Sequence, residues 1–198
     1  MQLIVDIMTN DHFGDDLIRA RLWIPNGFRI ITASLTSVEC RSWMIRSSKF
    51  LNGRCVRDLE QATNDPIMEV LWLDLLLSLT TYSDGQSWLA KTADLVDLLV
   101  DKAMHNNSLP SLAILRNLSF HPGGRAKLLL LPNFLSLLSQ SLRKDGAPLR
   151  LALATIWALA ANCHKAKVAL AKSGISRIIE EIQGQDSLVG QVYAVVSL

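Results

Sequence analysis

The stretch from Leu112 to Leu138, LAILRNLSFHPGGRAKLLLLPNFLSLL, decides the fold because its apolar pattern recurs on both sides. Moving it 41 positions towards the C-terminus, or 39 towards the N-terminus, places apolar residues over the same six positions. The three sets are Leu73, Leu76, Leu79, Leu95, Leu98 and Leu99; Leu112, Leu115, Leu118, Phe134, Leu137 and Leu138; and Leu153, Ile156, Leu159, Ile175, Ile178 and Ile179. The chain therefore contains an internal repeat of about forty residues.

A period of this length is typical of armadillo and HEAT repeats, in which single units cannot bury their apolar faces alone and therefore stack. Leucine dominates and β-branched alternation is almost absent, which favours helix. We predict an all-α, armadillo-like helical-repeat solenoid, an α-α superhelix, with about four repeats plus terminal helices. Such a stack binds partners on its surface, and catalysis is the less expected function.

Turn and cap signals divide the predicted single domain, residues 1–198. Pro25-Asn26-Gly27 indicates a turn, and Asn64-Asp65-Pro66 indicates a helix start with Pro at the first helical position. Pro122-Gly123-Gly124 indicates a break between helices in which glycine supplies a positive φ. The predicted segments are N-terminal helices at 1–24 broken around Asn10–Gly14, a degenerate repeat at 28–65, clearer repeats at 66–104, 108–143 and 147–183, and a C-terminal helix at 186–198.

Composition excludes several classes of function. Apolar residues make up 49% of the chain and charged residues 19%, which indicates a well-buried globular protein rather than a disordered one. The net charge is +2 and no basic run exceeds Arg143-Lys144, so we expect no nucleic-acid groove. The longest apolar runs, Val70–Leu79 and Leu151–Cys163, are too short to span a bilayer. No signal peptide begins the sequence, so we expect a soluble protein that does not bind membranes.

Residues able to carry chemistry are dispersed. The cysteines Cys40, Cys55 and Cys163 form no CxxC motif, and no two of the four histidines have the i, i+4 spacing of a zinc site. We interpret His121 and His164 as caps near the last carbonyls of long helices, and Asp94 and Asp97 as charges near a helix start. We therefore predict no catalytic, cofactor or metal site. A small helical enzyme or metal protein stays open as a less favoured alternative.

On the long helices, the positions that point away from the predicted core form a strip. That strip comprises Asp74, Leu77 and Ser78, then Ala113, Arg116 and Asn117, then Ala154, Trp157 and Ala158. We predict that it receives a helical or extended segment of a partner protein. The residues assigned to partner binding are Asp74, Leu77, Ser78, Arg116, Asn117 and Trp157. Most of the five tryptophans are expected in the core, with one or two exposed as binding anchors.

Two blocks of sequence carry a resemblance to a known family. The first is Leu115-Arg-Asn-Leu-Ser-Phe-His121, followed by Lys127-Leu-Leu; the second runs from Ala154 to Leu170, ATIWALAANCHKAKVAL. Together they resemble the C-terminal region of the rotatin family, which includes the insect anastral-spindle homologue. The resemblance implies a fragment of a longer protein that supports centriole assembly and basal-body or cilium function by binding another centriolar protein. It implies localisation in the cytoplasm at the centrosome, centriole and basal body.

Two other interpretations bear on the partner. Nuclear-import armadillo proteins carry a Trp-x-x-x-Asn ladder, of which only Asn117 is present here, so a receptor for basic peptides is disfavoured. A generic armadillo/HEAT adaptor unrelated to centrioles remains an alternative. Self-association through the terminal helices is expected to be possible because end repeats expose apolar surface.

Overall fold

The computed structural model describes residues 17–46, 49–61, 66–161, 163–182 and 187–196, and every regular element in these ranges is helical. The predicted all-α helical-repeat fold is confirmed. The helices of the described ranges are α1 Leu17–Ser34, α2 Val38–Arg46, a π-helix Lys49–Cys55, α3 Val56–Glu60, α4 Pro66–Leu79, α5 Ser83–Lys91, α6 Ala93–His105, α7 Leu109–Ser119, α8 Pro122–Leu130, α9 Phe134–Leu142, α10 Ala147–Ala160, α11 His164–Lys172, α12 Ile175–Glu181 and α13 Ser187–Val196. The break predicted at Asn10–Gly14 lies outside these ranges.

The chain divides into two compact units, Met1–Trp88 and Leu89–Leu198. The single domain predicted over 1–198 and its segment bounds stay predictions. In the first unit, α4 packs on α1 and α3. Its core is aromatic: the ring of Phe28 meets that of Trp72 edge-on, with centroids 4.8 Å apart, and Phe50 lies at the same distance from Trp72. The buried Trp72 keeps its polar atom satisfied, since Nε1 donates to Asp58 Oδ2 at 3.0 Å.

The turn predicted at Pro25-Asn26-Gly27 is wrong, because α1 continues through all three residues. Proline within a helix removes one backbone donor, and glycine there is also unfavourable. Packing outweighs both costs, since Phe28 and Ile31 follow at helical spacing and are fully buried in the interior that α1 shares with α4. The helix instead ends near Leu35, where Ser37 caps α2 by accepting a hydrogen bond from the Cys40 amide.

The second unit shows why the sequence repeats. The long helices α7, α10 and α13 pack one on the next, and α6, α9 and α12 form a second row. The short helices α8 and α11 each follow a long helix and contact it. In these two rows, each helix therefore packs against the helix three elements later in the chain. A period of about forty residues is the length of one repeat of three helices. Across both units, all the repeated apolar positions are buried except Leu98, which is half-buried.

Gly123 and Gly124, at the start of α8, do not supply the positive φ that the sequence analysis predicted for them. Pro122 is the first residue of α8 and both following glycines are helical; among the described glycines a positive φ occurs at Gly146 and Gly174. A Cβ added at Gly124 would stand 2.2 Å from the carbonyl oxygen of Leu118. Glycine is therefore required by close approach of two helices and not by backbone conformation.

The prediction that His121 caps the C-terminal end of a long helix is also wrong. Its ring Nδ1 accepts a hydrogen bond from the Gly124 amide at 3.3 Å, so the residue caps the N-terminus of α8. His164 is the first residue of α11 and is exposed. Each histidine thus belongs to the start of a short helix, because the chain turns between the long and short helices just before it.

Candidate partner-binding surface

The described residues bring together no group of three or more His, Cys, Asp or Glu that could hold a metal ion. The three cysteines are free thiols, and Cys55 is buried. Burial raises the pKa of the Cys55 thiol well above its usual range, and the charge of Asp58 adds to the effect. That thiol is therefore a poor nucleophile and behaves as a small apolar core residue.

In the first unit, the predicted strip occupies one side of α4. Asp74 is exposed, whereas Leu77 and Ser78 are half-buried. Leu73 and Leu76, on the opposite side, are buried in the core. The α4 residues thus offer one carboxylate and a partly covered leucine to solvent.

In the second unit, the strip lies on the packed pair α7 and α10. Arg116 and Trp157 occupy the same position of consecutive repeats, 41 residues apart, as do Ala113 and Ala154. The indole of Trp157 is 42% exposed, which is unusual for a large apolar side chain in a helix this well buried. Ala113 and Ala154 are half-buried beside it.

Asn117 is only 7% exposed, so it offers little surface to a partner. Ala158, the position equivalent to it in the next repeat, is also buried. This position therefore faces the interior in both α7 and α10, and the accessible part of the strip in the second unit includes Arg116 and Trp157, one residue earlier.

Arg116 is half-buried, and its Nε atom is shielded from solvent without a hydrogen-bond partner among the described residues. A guanidinium donor held in this way has lost water without gaining a protein acceptor. Since Nε lies out of reach of solvent, an acceptor of a partner could use this donor only if the Arg116 side chain moved to expose it. Among the strip residues that the structure describes, Arg116 is the one with a buried donor left unsatisfied.

Two further residues share this surface and were missed by the sequence analysis. Leu109 and Arg150 are also 41 residues apart, and both are exposed on α7 and α10. On α10, Arg150 precedes Ala154 and Trp157 by four and seven residues, which places all three on one side of the helix. Leu109 and Arg150 are related by the same 41-residue shift as Arg116 and Trp157, so the repeat could have revealed them. The α7–α10 face is defined here as Leu109, Ala113, Arg116, Arg150, Ala154 and Trp157.

A second polar cluster, centred on Arg41 in the first unit, is structural. The buried guanidinium donates from Nε to both carboxylate oxygens of Asp84, at 3.1 and 3.0 Å, and from Nη1 to the carbonyl oxygens of Leu35 and Thr36. It also lies 3.8 Å above the ring of Tyr82. Because these groups already occupy Arg41, the cluster holds helices together and leaves its cation engaged.

No helix among the described residues is both long and apolar enough to cross a membrane. No family model matches the chain.

The packing of long, short and third helices in the second unit defines the class: an all-α helical-repeat protein with an exposed Arg and Trp on its long helices. Human rotatin is 29% identical over 160 residues, and mouse rotatin is 30% identical over 161 residues. Each match covers 78% of this chain and 7% of the relative, so the chain spans a small part of the length of these proteins. The predicted resemblance to the rotatin family is confirmed, and the chain is a relative of rotatin. Its likeness to the insect homologue stays a prediction.

Proposed function

We propose that this chain is a non-enzymatic protein–protein interaction module that supports centriole assembly and basal-body or cilium function by binding another centriolar protein. Similarity to rotatin supports the cellular part of the proposal. The binding part depends on one observation: Trp157 is exposed in the same repeat position where Arg116 has an unpartnered Nε. Tryptophan and arginine are the residues that most often carry binding energy at interfaces.

The proposed partner-binding residues are the accessible ones of the predicted strip, Asp74, Leu77 and Ser78 in the first unit and Arg116 and Trp157 in the second. Asn117, predicted with them, is nearly buried and is left out of the proposal. Arg116 and Trp157 are the two whose removal should matter most. The alanines beside them would let a partner's backbone approach the helices closely. No cofactor, nucleic acid or membrane is part of the proposal, and light scattering tests the proposed self-association through the terminal helices.

The test compares two double variants of the full-length protein in dividing cells. Arg116→Ala with Trp157→Ala removes the proposed anchors, and Arg143→Ala with Leu130→Ala removes an exposed cation and an exposed leucine elsewhere in the second unit. Proximity labelling with mass spectrometry should show centriolar proteins lost only from the first variant. Equal labelling by both variants would exclude this surface.

Localisation separates the proposal from its alternative. The tagged full-length protein is expected in the cytoplasm, concentrated at the centrosome, the centriole and the basal body. A diffuse signal without these foci would favour a generic armadillo/HEAT adaptor. Metal analysis of the purified protein tests the less favoured alternative of a metal protein.

A further inference from the structure

Helix α4 of the first unit has apolar residues on nearly every side, yet one side of it is exposed. Glu69 and Asp74 are the only charged residues among its 14. A helix of this composition is normally covered on all sides, because apolar surface is unfavourable in water. In the structure, however, Ile67 is 59% exposed and Val70 is 58% exposed. Large apolar side chains exposed together are typical of a surface that another molecule covers.

These two residues begin a stripe along the helix. The α4 seam is defined here as Ile67, Val70, Asp74 and Leu77. Its members are three, four and three positions apart, so they lie on one side of the helix, and Trp72 on the opposite side is fully buried. Asp74 is exposed and Leu77 is half-buried. This spacing is that of the a and d positions of a heptad, through which two helices pack side by side.

Asp74 determines which partner the α4 seam can accept. Its carboxylate has no hydrogen bond or ion pair among the described residues, and it lies between the apolar residues Val70 and Leu77 along the seam. Covering a carboxylate within an apolar helix interface is unfavourable unless a group of opposite charge meets it. A partner must therefore bring a cation to Asp74 and apolar side chains to the positions around it.

We propose that the α4 seam binds an amphipathic helix of a partner protein, with Leu, Ile or Val at its heptad positions and one Lys or Arg opposite Asp74. The proposal deepens the part of the proposed function that concerns Asp74 and Leu77, and it rests on that function. A helix suits the seam because one heptad advances about 10 Å, which is also the axial distance from Val70 to Leu77. An extended segment presents side chains on one side about every 7 Å and would not keep register with the seam.

The same carboxylate disfavours a second copy of this chain as the partner. Two α4 seams paired in parallel and in register would place Asp74 directly against Asp74. An antiparallel pair centred on the seam would leave the two carboxylates about one helical turn apart. Helix α4 contains no Lys or Arg that could neutralise either arrangement. Like charges would therefore repel in both, and the cation must come from a different protein.

Fluorescence anisotropy on the complete chain tests the proposal with two labelled peptides, each two heptads long and kept helical by a lactam bridge on its outer side. The Lys peptide carries Leu at three heptad positions and Lys at the inner position that meets Asp74, where the Glu peptide carries Glu. We expect saturable binding of the Lys peptide and about tenfold weaker binding of the Glu peptide, because like charges then meet. Equal binding of the two peptides would overturn the proposal.

A charge exchange shows whether Asp74 itself selects the peptide. Asp74→Lys should reverse the preference, so that the Glu peptide binds about tenfold better than the Lys peptide. Circular dichroism should stay that of the wild type, since Asp74 is exposed. Glu60→Lys, which changes an exposed acid on α3 of the same unit, is the control and should keep the wild-type preference. A preference that Asp74→Lys does not reverse would contradict the proposal, as would a reversal in the control.

The apolar part of the seam has a closely matched control. Val70 on α4 and Val38 on α2 are each 58% exposed. Val70→Ala should weaken binding of the Lys peptide about fivefold, because methyl groups buried by the peptide are lost, whereas Val38→Ala should leave binding unchanged. Equal losses would place the peptide elsewhere. A wild-type dimer in light scattering that Val70→Ala dissociates would show that a second copy covers the seam, and would also overturn the proposal.

The outcomes separate this inference from the proposed function. If neither peptide binds but proximity labelling still depends on Arg116 and Trp157, the proposed function stands and the inference about the α4 seam is wrong. If the Lys peptide binds with the expected charge preference but labelling does not depend on Arg116 and Trp157, the seam is supported and the proposed surface of the second unit is wrong.

Discussion

At the scale of single residues, the third position of each short helix shows how closely that helix approaches the end of the long helix before it. Gly85 and Gly124 occupy it in α5 and α8, and an added Cβ would stand 2.1 and 2.2 Å from carbonyl oxygens of Leu79 and Leu118. The third residue of α11 is Ala166, which is fully buried. The position therefore requires a small residue, and in α5 and α8 it requires glycine.

Replacing Gly124 with alanine should lower the free energy of unfolding by about 2 kcal/mol, because the helices must separate to admit the methyl group. Gly190→Ala is the control, since an added Cβ there meets nothing within 4 Å. It should raise stability by about 0.5–1 kcal/mol through the helix preference of alanine. Urea unfolding followed by circular dichroism measures both, and similar effects would contradict the close approach.

At the scale of elements, Arg41 connects three pieces of the first unit. Its donors reach the carbonyls of Leu35 and Thr36 in the turn after α1 and the carboxylate of Asp84 in the first turn of α5. The residue itself lies on α2. The orphan carbonyls at the end of α1 thus gain a donor from the next helix, which explains why a buried charge is tolerated there.

Arg41→Lys should lower the free energy of unfolding of the first unit by about 2 kcal/mol, because an ammonium group cannot make these divergent hydrogen bonds. Amide hydrogen exchange should accelerate in α2 and in residues 35–37 while the amides of α9 and α12 stay protected. Arg46→Lys, at an exposed position of the same helix, is the control and should change neither measurement. Unchanged exchange in the Arg41 variant would show that the cluster is dispensable.

At the scale of the whole molecule, stacking of equivalent helices decides which apolar residues form the core. Leu138 is fully buried on α9, which packs against both α6 and α12. Leu130, eight residues earlier, is 79% exposed on α8. In a repeat protein, burial therefore follows from contact with neighbouring units and not from hydrophobicity alone.

Leu138→Ala should lower the free energy of unfolding by about 3 kcal/mol, since it removes buried methyl groups and leaves a cavity between three helices. Leu130→Ala makes the same chemical change at an exposed position and should change the free energy of unfolding by no more than about 0.5 kcal/mol. Thermal and urea unfolding of the two variants provide the comparison. Equal costs would contradict the stacked arrangement of α6, α9 and α12.

The candidate surface was predictable only in part. The 41-residue shift identified Arg116 and Trp157, and the same shift applied to Leu109 would have found Arg150. Periodicity could not show that Asn117 is nearly buried, because its exposure depends on how α10 packs against α7. Nor could it show the unpartnered Nε of Arg116, since solvent access to one atom is set by neighbouring side chains.

The sequence by itself determined the helical class, the repeat of about forty residues and nearly all of its core positions. These are periodic properties of a linear chain, so spacing alone encodes them. Tertiary structure alone decided that α1 continues through Pro25, that Gly124 is needed for close approach, and that Arg41 meets a carboxylate 43 residues away. Each depends on groups distant in sequence whose packing energy exceeds local preference, and no local pattern records that balance.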